Sequence, residues 1–99
     1  MRHVEINSEA YAETEEARTW YEEKSYGLGL EFLNEVDRAI KTIQELPTVW
    51  PPYTEGTRRF LLHRFPFGII YQYDEIKIQI WAIMHLSRRP EYWKNRKKK

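Results

Sequence analysis

The feature that most constrains the fold is a strict alternation of residue types between positions 76 and 85. The even positions are apolar: Ile76, Ile78, Ile80, Ala82 and Met84. The odd positions are mixed: Lys77, Gln79, Trp81, Ile83 and His85. Because successive side chains of a strand point to opposite faces of a sheet, this pattern predicts a strand with one packed face and one face that is at least partly open.

Shorter runs predict the other strands of the same sheet. Residues 59–64 and 67–73 are the two candidates that precede the alternating strand, and residues 74–75 make a tight connection to it. Val4 and Ile6 alternate with polar neighbours, which predicts a short first strand.

Two helices are predicted between the first strand and the rest of the sheet. Ser8 offers a hydroxyl for the N-cap of the first helix. A helical face follows at spacings of four, three and four: Ala10, Thr14, Ala17 and Tyr21. Gly27 and Gly29 stop this helix and turn the chain. The second helix has an apolar stripe and ends at Pro47: Phe32, Val36, Ala39, Ile43 and Leu46.

Together these elements predict an α+β fold of order β-α-α-β-β-β, with the helical hairpin packed on one face of a small antiparallel sheet. Two helices cannot cover both faces, so we expect only the C-terminal tail to roof the other face. A chain of 99 residues is expected to form one domain. Residues 1–47 hold the first strand and the hairpin, residues 57–85 hold three strands, and residues 86–99 form a basic tail.

Composition excludes several classes of protein and of site. There are no cysteines, which excludes disulfides and thiolate metal sites. No apolar run is long enough to span a membrane, and the N-terminus lacks the apolar core of a signal peptide, so we expect a soluble cytoplasmic protein. The helical carboxylates are expected to form a solvated face without a histidine at ligand spacing, so no metal site and no cofactor are predicted: Glu13, Glu15, Glu16, Glu22 and Glu23.

The net charge of +1 hides an uneven distribution. Residues 1–56 contain 12 acidic and 5 basic side chains, a balance of −7, whereas residues 57–99 contain 3 acidic and 11 basic ones, a balance of +8. This asymmetry favours a second half that faces an anionic partner. The alternative is that acidic helices neutralise a basic sheet within the fold.

Arginines near the second predicted strand form the first candidate site. Arg58, Arg59 and Arg64 lie on or beside it, and arginines at alternate positions of a strand share one face. A guanidinium binds a phosphate with two donors, so these residues are candidates for target binding. The alternative is an edge strand that charge keeps from pairing with other chains.

The tail forms the second candidate site. Basic and aromatic residues interleave in it, as in sites that stack bases and hold phosphates: His85, Arg88, Arg89, Tyr92, Trp93 and Arg96. His85 can transfer a proton near neutral pH. Alternatively, Tyr92 and Trp93 only pin the tail to the domain, and His85 is a hydrogen-bonded structural residue.

Three separated segments resemble the RelE/ParE superfamily of toxins from type II toxin–antitoxin systems, often described as plasmid stabilisation proteins. The helical half shows ARTWYE at 17–22 and GLGLEF at 27–32, and the sheet shows RRFLLHRFPFGIIY at 58–71. The ending has the order common in the family: His85, Arg88, Pro90, Trp93 and Arg96. The resemblance covers nearly the whole chain and implies the β-α-α-β-β-β fold and a small antitoxin partner that wraps around the toxin.

The resemblance implies one of two activities. RelE-type members cut messenger RNA on the ribosome, whereas ParE-type members are not enzymes and poison DNA gyrase. In a ribonuclease, His85, Arg59 and Arg88 would be catalytic. Target binding would in either case use the remaining basic and aromatic residues: Arg58, Arg64, Arg89, Tyr92, Trp93 and Arg96.

Departures from the ribonuclease pattern favour the ParE type. Arg59 matches one basic position of the second strand, but the alternate position holds Leu61. Gly68 stands where RelE-type members have an arginine, and Arg88 matches the arginine after the last strand. Losing one contact to the scissile phosphate costs about 2–4 kcal/mol of transition-state stabilisation. A RelE-like ribonuclease that uses His85 is the alternative.

Overall fold

The computed structural model describes residues 1–98, with side chains up to Lys97, so Lys99 of the predicted tail lies outside the described residues. The regular elements follow in chain order: β1 His3–Ile6, α1 Ser8–Lys24, α2 Leu28–Glu45, β2 Arg58–Leu61, β3 Phe67–Tyr73 and β4 Lys77–His85. This order confirms the predicted α+β fold. Within the described residues, no helix is both long enough and apolar enough to cross a bilayer.

The sheet has four strands in the order β1-β4-β3-β2. β2, β3 and β4 form an antiparallel meander, as predicted. β1 adds to the other side of β4 in parallel, with His3 opposite Lys77 and Ile6 opposite Ile80. A parallel neighbour requires a long crossover connection, which the helical hairpin helps to supply, so the complete sheet is mixed.

The N-cap of the first helix lies one residue earlier than the sequence indicates. Asn7, not Ser8, is the N-cap, and its Oδ1 accepts a hydrogen bond of 2.9 Å from the Glu9 N–H. The prediction of Ser8 as the cap is therefore wrong by one position, because two good capping residues stand next to each other. At the other end, Gly27 takes a φ of 85° between the helices, a conformation that glycine adopts without steric cost.

The core on the helix side of the sheet holds most of the large apolar side chains. Its members come from α2 and from the strands: Phe32, Val36, Ile43, Ile69, Tyr71, Ile78, Ile80 and Ile83. Aromatic rings pack edge to face at its end, where the Phe32 centroid lies 5.1 Å from that of Phe65 and 5.2 Å from that of Phe67. Burial of this apolar surface holds the hairpin on the sheet.

A β-bulge interrupts β4. Tyr71 pairs with Ile80 and Ile70 pairs with Ala82, so Trp81 is an extra residue on β4. An extra residue shifts the alternation of every side chain that follows it. The predicted unbroken alternation is therefore wrong beyond Trp81.

The bulge exchanges the faces of the last residues of β4. Ile83 belongs to the helix-side core, whereas Ala82 and Met84 belong to a separate core with Ile70. His85 leaves the open face on which it was predicted and packs edge-on against the Phe67 ring, with centroids 5.0 Å apart.

The second core lies under the tail. Trp93 is fully buried there against Ile70, Ala82 and Met84. The tail therefore roofs this part of the sheet, as predicted. The other part of the same face remains a shallow groove beside Gln72, Lys77, Gln79 and Trp81.

Ionisation of Tyr71, in the helix-side core, makes the stability of the folded chain depend on pH. Its ring is fully buried and its hydroxyl donates to the Pro47 carbonyl at 2.7 Å. Burial raises the pKa of Tyr71 from 10.0 to about 12. The folded chain therefore holds this proton more tightly than the unfolded chain does. The contribution of this pKa difference to the free energy of unfolding is complete below pH 10 and is lost as the pH rises towards 12.

We expect urea unfolding to show a stability that falls between pH 10 and pH 11.5, and we expect a shallower fall in Tyr71→Phe. Part of the slope should remain in the variant, because burial also raises the pKa of Tyr92. Equal slopes in the two proteins would contradict this role of Tyr71.

Candidate target-binding surface

The second half of β4 has no strand on its outer side, because β1 pairs only as far as Ile80. Side chains complete this edge instead. The Ile83 N–H donates to Glu13 Oε1 of α1 at 3.0 Å. The Trp81 carbonyl accepts from Arg96 Nη1 of the tail, also at 3.0 Å. These two backbone groups of the edge are thereby satisfied without a further strand.

Glu13 is the centre of this arrangement. Its side chain is only 13% exposed. Besides the Ile83 N–H, it accepts a hydrogen bond from the Tyr92 hydroxyl at 2.6 Å and two from the Arg96 guanidinium at 3.0 and 2.9 Å. Burial, and then the hydrogen bond to Glu13, raise the pKa of Tyr92. The tail is thus fastened to α1 by a buried ion pair.

These contacts bury two of the tail residues that were predicted to bind a target, Trp93 and Arg96. Trp93 has no exposed surface and its indole donates to the Pro90 carbonyl at 2.7 Å, while the Arg96 side chain is 10% exposed. Neither side chain can stack on a base or reach a partner without unfolding the tail. Tyr92 is partly buried in the same cluster.

Glu13 was missed because the helical carboxylates were expected to be solvated. That expectation is wrong for Glu13, and also for Glu22, which accepts the N–H groups of Gly27 and Gly29 at 3.0 Å each. A signal for Glu13 was present in the sequence. It lies three residues after Ala10 and four before Ala17, which puts it on the buried side of α1.

The three arginines near β2 do not share a face. Arg58 lies on the helix side and its Nη1 donates to the Trp50 carbonyl at 2.6 Å. Arg59 points to the opposite face, since it pairs with Ile70 of the tail-side core. Arg64 lies beyond the end of β2 and pairs with Glu31 of α2 at 2.6 Å. Alternation along one strand therefore does not bring these arginines together, because Arg58 and Arg59 are adjacent and Arg64 lies outside β2.

Glu35 of α2 accounts for the early end of β2. This residue is 8% exposed, and its Oε2 accepts the N–H groups of His63 at 2.6 Å and Arg64 at 3.2 Å. Backbone groups that bond to a helix cannot continue a strand ladder, so the predicted strand 59–64 ends at Leu61. The sequence offers no local sign of this contact, which spans 28 residues.

The residues predicted for a ribonuclease site do not converge. His85 lies opposite Phe67, whereas Arg59 lies opposite Ile70, on the other face of the sheet. Their backbones are separated by about 10 Å along the strands and by about 10 Å across them. Arg88 stacks on the Tyr92 ring, with its guanidinium carbon 3.9 Å from the centroid.

His85 has a fixed tautomer. Its Nδ1 accepts the Ser87 N–H at 3.1 Å and lies 2.8 Å from the Ser87 hydroxyl. A ring nitrogen that accepts a backbone N–H carries no proton, so Nε2 is the protonated nitrogen of the neutral ring. His85 also lines a groove between α1 and the end of the sheet, whose other lining residues are largely apolar: Ala17, Trp20, Tyr21, Pro66 and Phe67.

Charge is neutralised in part within the fold. Four ion pairs join the acidic half to the basic half: Glu5 with Lys77, Glu31 with Arg64, and both Glu9 and Glu13 with Arg96. Five described cations of the sheet and tail have no carboxylate within ion-pair distance: Arg58, Arg59, Arg88, Arg89 and Lys97. Arg58 and Lys97 donate to backbone carbonyls instead. Arg59, Arg88 and Arg89 are therefore the three whose side-chain donors are free for an anionic partner. No group of three possible metal ligands occurs in residues 1–98.

No protein-family model and no curated protein matches the chain. Among solved structures, the chain is similar to one described as the chromosomal ParDE TA (toxin–antitoxin) system from P. aeruginosa. The TM-score is 0.63 at 21% sequence identity, and the match covers 87% of this chain and 97% of that chain. The two chains share a fold over nearly the whole of the neighbour.

Proposed function

We propose that this protein is a ParE-like toxin of a type II toxin–antitoxin system, which acts in the cytoplasm by binding a target such as DNA gyrase. The observation that carries the proposal is the shared fold with a chain of the ParDE system, which extends over 97% of that chain. The resemblance of residues 17–22, 27–32 and 58–71 to the same superfamily supports it independently of the structure.

The arrangement of the charged residues supports a binding poison over a ribonuclease. Cleavage of RNA needs a proton donor or acceptor and cations around one phosphate, with contacts near 3 Å. His85 and Arg59 lie on opposite faces of the sheet, too far apart to contact the same phosphate. A toxin that only binds does not require this convergence.

The groove beside His85 is our candidate for the antitoxin. It is apolar and open, and Trp20 at its rim is 54% exposed. Exposed apolar surface of this kind marks a protein interaction site. An antitoxin that buries Trp20 would lie between the hairpin and the sheet and would not need to unfasten the tail.

The proposal makes a direct prediction for purified toxin. We expect a stoichiometric excess to inhibit DNA supercoiling by gyrase and to leave ribosome-bound messenger RNA uncut. His85→Ala should then inhibit growth within about twofold of the parent chain, because no bond is broken by this residue. The readouts are a supercoiling assay, an RNA cleavage assay and growth after induction without antitoxin.

Two outcomes would contradict the proposal. Unchanged supercoiling with cleaved messenger RNA would identify a ribonuclease, and His85→Ala should then abolish toxicity. Harmless expression of the parent chain would identify a protein that binds an antitoxin but has no toxic activity. Circular dichroism of His85→Ala serves as the control for folding.

A further inference from the structure

A second concave site lies beside β2, away from the groove at Trp20. One cation and five largely apolar residues line it: Trp50, Pro51, Pro52, Tyr53, Arg59 and Leu61. Its volume is about 240 Å³, and its lining contains no acidic residue. Leu61 is 49% exposed at the rim. The pocket therefore offers one guanidinium in an apolar setting.

Arg59 is held in place by its neighbours. Its side chain crosses Gly68, where an added Cβ would lie 3.1 Å from the Arg59 Cγ and 3.2 Å from the Cδ. Its guanidinium carbon lies 4.6 Å from the centroid of the Tyr53 ring. A guanidinium stacked on an aromatic face keeps its in-plane donors free for another partner. Gly68 and Tyr53 thus fix a cation that has no carboxylate partner in residues 1–98.

The chemistry of the pocket selects an anion with an apolar body. A carboxylate matches the two parallel donors of a guanidinium, and apolar groups next to it would pack on Trp50, Pro51 and Leu61. The volume is below the roughly 300 Å³ at which pockets for drug-sized ligands begin, so a side chain fits better than a nucleotide. A polynucleotide would also need several cations along its phosphates, and this pocket has one.

We propose that this pocket binds an acidic anchor of a peptide partner, namely an Asp or Glu flanked by an apolar residue. The site does not depend on the toxin function proposed above, because it is argued from the lining of the pocket alone. Tyr53 of the pocket packs on the same core as Trp93, but the pocket lining contains no tail residue, and Tyr92, Trp93 and Arg96 are occupied with contacts inside the fold.

Two matched peptides test the proposal: acetyl-Leu-Glu-Leu-amide and acetyl-Leu-Gln-Leu-amide. Titrations are followed by NMR on the side-chain N–H signals of Arg59 and Trp50 in the full chain. We expect the Glu peptide to shift the Arg59 signal and to bind about tenfold more tightly than the Gln peptide, the effect of one charge-assisted hydrogen bond. Equal affinities would overturn the proposal.

Three variants test separately whether peptide binding needs the charge of Arg59 and the position of its side chain. Arg59→Gln should remove the preference for the Glu peptide. Gly68→Ala retains the charge but requires the Arg59 side chain to move by a few tenths of an ångström, so it should weaken binding of the same peptide by less than Arg59→Gln does. Arg38→Gln is the control, because Arg38 is an exposed arginine of α2 outside the pocket, and binding should not change. Unchanged binding by Arg59→Gln would also overturn the proposal.

The competing possibility is that the pocket binds a nucleic acid and not an acidic peptide. If a uridine tetranucleotide shifts the same Arg59 signal at a lower concentration than the Glu peptide does, the pocket is a nucleic-acid site and the peptide assignment is wrong. If the tetranucleotide leaves Arg59 unshifted, or shifts only the signals of Arg88 and Arg89, the peptide assignment is supported.

Discussion

Glu13→Ala is expected to lower the free energy of unfolding by about 3–5 kcal/mol, because it leaves the buried Arg96 guanidinium with only the exposed Glu9 carboxylate, 3.6 Å away. Arg96 would lose two hydrogen bonds, and Tyr92 and the Ile83 N–H would lose one each. Alanine is the best helix former, so the propensity of α1 does not contribute to the loss. Urea denaturation followed by circular dichroism measures the effect.

Glu16→Ala is the matched control for this experiment. Glu16 is an exposed residue one turn further along α1 and has no ion pair among the described residues. We expect a change within about 0.5 kcal/mol for this variant. A similarly small change for Glu13→Ala would show that the tail is not fastened as described.

Trp93→Ala is expected to destabilise the protein by a similar amount, about 3–5 kcal/mol, for a different reason. The substitution removes the largest fully buried side chain and leaves a cavity over Ile70, Ala82 and Met84. For a domain of this size, each kcal/mol lowers the melting temperature by about 4–8 °C. Differential scanning calorimetry should therefore show a fall of more than 10 °C.

Trp20→Ala is the control for the loss of an indole, since Trp20 is 54% exposed. Its melting temperature should stay within a few degrees of that of the parent chain. If Trp93→Ala behaves like Trp20→Ala, then Trp93 is not a core residue and the tail is free to contact a target. The predicted target-binding role of the tail would then be restored.

Much of the fold could be predicted because each element has its own local pattern. The apolar stripe of α2, from Phe32 to Ile43, and the alternation of β4 up to Ile80 are visible without knowledge of their neighbours. The bulge at Trp81 could not be predicted from the sequence. Trp81 and Ile83 are apolar residues on the face that was expected to be polar, so the pattern of apolar residues looks the same with or without an extra residue. One residue thus moved His85 to the other face.

The site was predicted less well because its residues act through distant partners. Tyr92, Trp93 and Arg96 have the composition of a nucleic-acid site, and only the contact with Glu13 reveals that they fasten the tail. Arg59 was a candidate because it lies in a predicted strand, and its role in a site stays a prediction. The glycine at 68, which looked like a missing arginine, is where the Arg59 side chain lies.

The contact between Glu13 and Arg96 also determines when the protein can finish folding. It joins residues 83 positions apart, and contacts of such long range form slowly because a large loop must close first. During synthesis, Glu13 of α1 is made early, and its partner Arg96 is made only after all of the strands. Any activity that requires the finished domain therefore begins only when the tail has left the ribosome, and an incomplete chain released early would be inert.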